Sequence, residues 1–150
     1  MNYKKAGLFF LVGISLLATA CTQVTRKSEK PLVIFDRKGG FIGYNQRLVL
    51  YQNGQAVYRD LKSGSEVWFR VREDEVAEIL ELIGQSGILT GDFPRKEVYP
   101  DDIYFNITVN WANVSKTAFL KYRTLKGPLR QLVDRLNDIL DKKAWPRLNP

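Results

Sequence analysis

Residues 103–111 (IYFNITVNW) alternate apolar and polar side chains without a break, and no other stretch restricts the fold as strongly. Ile103, Phe105, Ile107, Val109 and Trp111 line one side of a strand, with Tyr104, Asn106, Thr108 and Asn110 on the other. A strand buried on one face only belongs in an antiparallel sheet, since parallel sheets are covered on both faces and read as continuous apolar runs. After Asn113 and Val114, residues 116–123 (KTAFLKYR) return, which sets Ala118, Leu120 and Tyr122 beside Val109, Ile107 and Phe105.

The first half of the folded region carries the same signal. Residues 32–37 (LVIFDR) form a short β-prone run, broken by Lys38-Gly39-Gly40. Phe41-Ile42-Gly43-Tyr44 then leads into residues 47–52 (RLVLYQ), and Asn53-Gly54 joins these to residues 55–61 (QAVYRDL). Asn-Gly between β-prone runs predicts a two-residue type I′ hairpin, because both loop positions need positive φ. That register sets Tyr51 opposite Ala56, Leu50 opposite Val57 and Val49 opposite Tyr58, and lets Arg47 meet Asp60. Ser63-Gly64 predicts a second turn into residues 66–72 (EVWFRVR), pairing Tyr58 with Phe69 and Arg59 with Trp68.

Paired residues share a sheet face, so these registers sort the side chains. Val49, Tyr51, Ala56, Tyr58, Val67, Phe69 and Val71 form the expected core face. The other face holds Leu48, Leu50, Val57 and Trp68 among Arg59, Glu66 and Arg70. It is a recognition surface, a face covered by a helix or the first strand, or a face mis-sorted because a β-bulge shifts the register.

Two helices complete the pattern. Residues 73–85 (EDEVAEILELIGQ) set Val76, Ile79, Leu80 and Ile83 on one stripe, with Gly84 or Gly87 as the stop. Their opening carboxylates Glu73, Asp74 and Glu75 suit the positive end of the helix dipole better than a metal. Gly127-Pro128 opens a second helix with Leu129, Leu132, Val133, Leu136 and Leu140 on its apolar stripe. Between strand groups, residues 90–102 (TGDFPRKEVYPDD) have no periodicity. Phe93 and Tyr99 each precede a proline that restricts the backbone. Such a loop either serves function or is a crossover whose aromatics tuck onto the core. The order β-β-β-β-α-β-β-α predicts an α+β domain over residues 31–145, with an antiparallel sheet of about six strands and two amphipathic helices, followed by a tail over 146–150.

Ahead of this domain stand Lys4 and Lys5, an apolar run over residues 6–17 (AGLFFLVGISLL), and Ala18-Thr19-Ala20-Cys21. Charged start, short apolar run and small residues make a signal peptide. With a cysteine behind them, the stretch resembles a bacterial lipoprotein leader with its lipobox. The resemblance implies removal of residues 1–20, acylation of Cys21 with palmitate-like chains, and a place in the cell envelope facing away from the cytoplasm. An ordinary secretory cleavage after Ala20, or an uncleaved anchor, would leave the cysteine unexplained. Thr22 stands where aspartate would mark inner-membrane retention in that family, so the outer membrane is favoured if the organism has two. Residues 22–30 (TQVTRKSEK) read as a tether with a reach of about 15–18 Å.

Composition limits the chemistry. The 150 residues contain 23 Lys and Arg against 16 Asp and Glu, and the leader takes away two lysines and no acid. A moderate positive balance, spread among acids, suits an anionic envelope protein or polymer and argues against a nucleic-acid role. The chain has no histidine, and Cys21 is its one cysteine. The usual general base, nitrogen metal ligand and free thiol are therefore missing, and no Gly-x-Ser-x-Gly, Ser-x-x-Lys or phosphate-binding glycine loop appears. The expectation is a protein that is not an enzyme and needs no metal or cofactor. The two Asn-x-Ser/Thr patterns, at Asn106 and Asn113, are too short to carry weight beside a bacterial leader.

Residues 37–41 (RKGGF), together with the meander, helix, strand pair and Leu-rich terminal helix, resemble emfourin, a small family of proteinaceous inhibitors of thermolysin-type metallopeptidases. The resemblance implies an α+β fold and loops that enter a protease cleft, and no individual inhibitory residue is carried over. The leading expectation is a membrane-anchored, non-catalytic binding module for an envelope protein or polymer. A metallopeptidase inhibitor and a structural lipoprotein linking membrane to wall are the alternatives. Lipidation is expected at Cys21, and partner contact at Phe93, Arg95, Lys96 and Tyr99, helped by Trp68.

Overall fold

The computed structural model describes residues 30–144; the leader, Cys21, most of the tether and the tail lie outside them. The fold is α+β. Strands β1 (Val33–Gly39), β2 (Tyr44–Leu50), β3 (Gln55–Asp60), β4 (Glu66–Arg70), β5 (Ile103–Trp111) and β6 (Val114–Lys121) form one antiparallel sheet in the order β4-β3-β2-β1-β5-β6. Helices α1 (Glu73–Ser86) and α2 (Gly127–Ile139) close over one side, and α2 runs on into a π-helical turn, Leu140–Ala144.

The core between sheet and helices follows from the alternation. Val33 and Phe35 of β1 meet Leu48 and Leu50 of β2, Ala56 and Tyr58 of β3, and Phe105, Ile107 and Val109 of β5. Phe35 and Phe105 stack with ring centroids 5.1 Å apart. From above come Val76, Ile79 and Ile83 of α1 and Leu132, Val133, Leu136 and Ile139 of α2. Gly87, in the left-handed region, terminates α1. Arg135 of α2 ties the helices together by reaching Glu75 at 3.3 Å and Glu78 at 2.8 Å on α1. Glu75 also accepts the Arg72 backbone N–H, so the acidic opening of α1 is used for capping and inter-helix pairing.

The observed registers differ from those expected, and the turns explain why. At Asn53-Gly54 only Gly54 has positive φ, and its N–H donates to the Tyr51 carbonyl. The loop is therefore a three-residue connection, a type I turn followed by a left-handed glycine, and not a type I′ pair. The extra residue turns β2 over relative to β3: Leu50 faces Ala56, Val49 faces Val57 and Leu48 faces Tyr58. Leu48 and Leu50 thus enter the core, while Val49 moves to the opposite face. Arg47 then lies opposite Arg59 and turns to Asp36 on β1, so the expected meeting with Asp60 is not made.

In β3–β4, Tyr58 faces Val67 and Ala56 faces Phe69, a two-residue shift that keeps every side chain on its expected face. The type I′ turn occurs instead at Ala112-Asn113, both with positive φ, so that Phe105 faces Leu120 and Ile107 faces Ala118. This too is a two-residue shift from the expected pairing.

Gly54 is fixed by space as well as by φ, since a Cβ there would sit 2.7 Å from the Val71 carbonyl oxygen. Gly54→Ala is expected to cost about 2 kcal/mol, read as a lower urea midpoint. An unchanged midpoint would show that this turn does not hold β2 against β3.

Candidate functional site

The outer sheet face, away from the helices, carries two rows that cross the strands. One is apolar: Ile34, Val49, Val57 and Trp68. The next is charged: Asp36, Arg47, Arg59 and Glu66. Arg47 and Arg59 lie directly opposite each other, and each turns outward to an acid. Arg47 forms a fork with Asp36 at 2.6 and 2.8 Å, and Arg59 meets Glu66 at 2.6 Å. The hydrogen bond to Asp36 holds the Arg47 guanidinium above its ordinary pKa. Arg59, with help from the Trp68 indole N–H, holds the Glu66 carboxyl below its own. Trp68 is more than half exposed, yet its indole donates to Glu66 at 2.6 Å, so it is tied to the sheet's own charge ladder.

The residues expected to contact a partner are not brought together. Trp68 sits on β4, one edge of the sheet, whereas residues 90–102 run past β6, the other edge. Five inter-strand spacings put about 24 Å between those edges. Within the loop, Phe93 is half-buried against the core, and its carbonyl lies 3.5 Å from the Phe119 N–H of β6, shielding that edge strand. Arg95, Lys96 and Tyr99 are exposed.

The loops at one end of the sheet form a second surface. There β1 turns into β2, β3 into β4, and the long loop enters β5. Asp102, buried at the entrance to β5, is the hinge of this end. Its carboxylate accepts the Tyr99 backbone N–H at 3.0 Å and pairs with Lys121 at 3.1 Å; those contacts, the backbone hydrogen bond first, hold it below the usual carboxylate range. The Lys121 ammonium also lies 5.1 Å from the centre of the Tyr99 ring. The Asp102 carbonyl accepts the N–H of Gly40 at 2.9 Å, and the Gly43 N–H returns to the Gly40 carbonyl at 2.8 Å. This closes a four-residue turn, Gly40-Phe41-Ile42-Gly43, pinned to the β5 entrance. Phe41 is 96% exposed and Ile42 75%.

Beside the turn, between the strand ends and α2, opens a cleft of about 380 Å³ lined by Arg37, Tyr44, Ile103, Phe105, Tyr122, Asp134, Asn137, Asp138 and Asp141. The Arg37 guanidinium lies at its floor, over the Tyr44 ring at 4.3 Å. It donates to Gln46 at 2.8 Å, to Asn137 at 3.2 Å, and to both oxygens of Asp141 at 2.7 and 3.2 Å. Gln46 passes the network on to the Tyr58 hydroxyl at 2.9 Å, and burial pushes that hydroxyl above its ordinary pKa. Arg130 pairs with Asp134 and Lys142 with Asp138. The cleft's hydroxyls are the phenols of Tyr44 and Tyr122, and its carboxylates are engaged by cations. The ionisable lining thus consists of three ion-paired carboxylates, two phenols and the Arg37 guanidinium.

Among the described residues, no group of His, Cys, Asp and Glu is arranged to hold a metal. No helix among them is long and apolar enough to cross a membrane. No family model matches the chain, and no related protein is found among curated sequences. The emfourin resemblance thus rests on residues 37–41 and on the order of elements.

In the sequence, Phe41 and Ile42 read only as a lead-in to β2. Their signal was legible: two bulky apolar residues between glycines, in a stretch that continues no alternation.

Proposed function

We propose that the protein is a lipid-anchored lipoprotein of the cell envelope that acts as a non-catalytic binding module. The observation that carries this reading is the Phe41-Ile42 turn: two neighbouring apolar side chains held out in solvent by a hydrogen-bonded turn pinned to the entrance of β5. Burying such residues on a partner gains roughly 1.5–3 kcal/mol each, and a preformed turn loses little conformational freedom on binding. The absence of histidine and the paired carboxylates of the cleft support binding over catalysis.

Cys21 supplies the anchor in this reading, since each buried acyl methylene contributes about 0.8 kcal/mol and several chains together make release slow. Cys21→Ser is expected to abolish fatty-acid labelling and move the chain from the membrane fraction to the soluble one, or leave it stalled with its leader. Labelling that persists in Cys21→Ser would refute the anchor.

A metallopeptidase inhibitor is the second reading, favoured by one observation. The emfourin-like residues 37–41 run from the cleft floor to the projecting turn, a convex shape suited to a cleft. Titration of the purified protein into a thermolysin assay distinguishes the two readings. Stoichiometric inhibition would select the inhibitor.

A further inference from the structure

We infer that Phe41 and Ile42 insert side by side into an apolar socket of a folded envelope protein whose rim carries carboxylates. The inference rests on the binding-module reading and names the partner's chemistry. The socket follows from the shape and exposure of the turn: two adjacent apolar side chains on a narrow projection, 96% and 75% exposed, ask for a concavity and not a flat face.

The rim follows from charge. Lys62 brings its ammonium against Gly43, and Lys38 stands two residues before Gly40; neither forms an ion pair among the described residues. Two uncommitted cations flanking an apolar pair complement carboxylates around an apolar hole.

A lipid bilayer fits the same pair less well because of the strand direction. The chain enters the domain at the start of β1, and the turn lies at its far end, about 20 Å away. A tether from Cys21 therefore joins the end opposite the turn and leaves Phe41 facing away from the membrane that holds the protein. The outer sheet face is a weaker contact surface because Arg47, Arg59 and Trp68 are already bonded to Asp36 and Glu66.

The test uses the full-length chain in the cells that make it, with photoreactive benzoylphenylalanine replacing Phe41, Ile42 or, as a control at the sheet's edge, Trp68. Irradiation is expected to give a protein adduct from the first two positions and not from the third. Adding Lys38→Glu and Lys62→Glu to the same chain should cut that adduct at least tenfold. The protein recovered in the adduct, once purified, should bind full-length Phe41→Asp at least tenfold more weakly than the parent chain. The melting temperature should not move, because Phe41 packs on nothing.

Adducts with lipid alone, equal adducts from all three positions, or none at all would overturn the inference. Fractionation of the same cells separates it from the reading beneath. A membrane-bound, acylated chain with no protein adduct at Phe41 defeats the socket and leaves the anchor standing. A soluble, unacylated chain that still forms the adduct does the reverse.

Discussion

Gly39→Ala is expected to lower the unfolding free energy by about 3–4 kcal/mol, a large share of what a domain of this size has to lose. Gly39 ends β1 with φ of +81°, in the left-handed region that any side chain resists. The larger cause is space. A Cβ on Gly39 would overlap the Asp102 carbonyl oxygen, and the colliding atom is backbone that cannot rotate away. That same carbonyl holds Gly40, so relief of the overlap must move the base of the Phe41-Ile42 turn. The comparison that isolates the collision is Gly64→Ala. Gly64 has φ of +75° and nothing within 4 Å of its Cβ position, so only the conformational cost remains, about 1 kcal/mol. Urea denaturation of both variants checks this: equal losses would mean that the close approach of β1 to Asp102 contributes nothing.

The second large effect is expected at Asp141. The Arg37 side chain is 7% exposed and Asp141 59%, so the pair is lopsided: the cation is buried and its carboxylate stands at the cleft mouth. Asp141→Ala leaves the guanidinium in place with Gln46, Asn137 and the Tyr44 ring but without its counter-charge. Removing one partner of a buried pair typically costs 3–5 kcal/mol; solvent at the Asp141 side reduces this to an expected loss of about 3 kcal/mol. Arg37→Met in the same background should recover part of the loss, since the apolar methionine packs along the path of the arginine stem and leaves no charge unpaired. The double variant is thus predicted to be more stable than Asp141→Ala alone, a coupling of about 1–2 kcal/mol by double-mutant cycle. Strict additivity of the two losses would show that the guanidinium is solvated from the cleft and that Asp141 does not hold it.

How much of this was legible in the sequence differs from element to element. The alternation of residues 103–111 placed every side chain of β5 on its correct face, because side-chain direction in a strand depends on parity alone. The same rule made the β3–β4 and β5–β6 misregistrations harmless, each being a shift of two. At β2 it failed. Asn-Gly permits either a two-residue type I′ loop or a type I turn followed by a left-handed glycine, and the choice moves a whole strand by one residue. Which occurs depends on β1 and on the core, since Leu48 and Leu50 are needed opposite Val33 and Phe35. The long loop could not be divided into a core-packed part at Phe93 and an exposed part at Tyr99. Nothing in an aperiodic stretch says which residues meet the β6 edge.

By itself, the sequence determined the class of fold, the order of its six strands and two helices, and the absence of histidine that narrows its chemistry. Those properties are local, set by periodicity, turn residues and composition. Only the tertiary structure decided that Trp68 and residues 90–102 occupy opposite edges of the sheet, because strand order is a matter of which strands pair across the chain. It alone placed Arg37, 104 residues before Asp141 in the chain, against that carboxylate. It also pinned Gly40 to Asp102 so that Phe41 and Ile42 stand in solvent. Contacts between residues so far apart exist only once the sheet has brought the ends of β1, β2 and β5 together under α2.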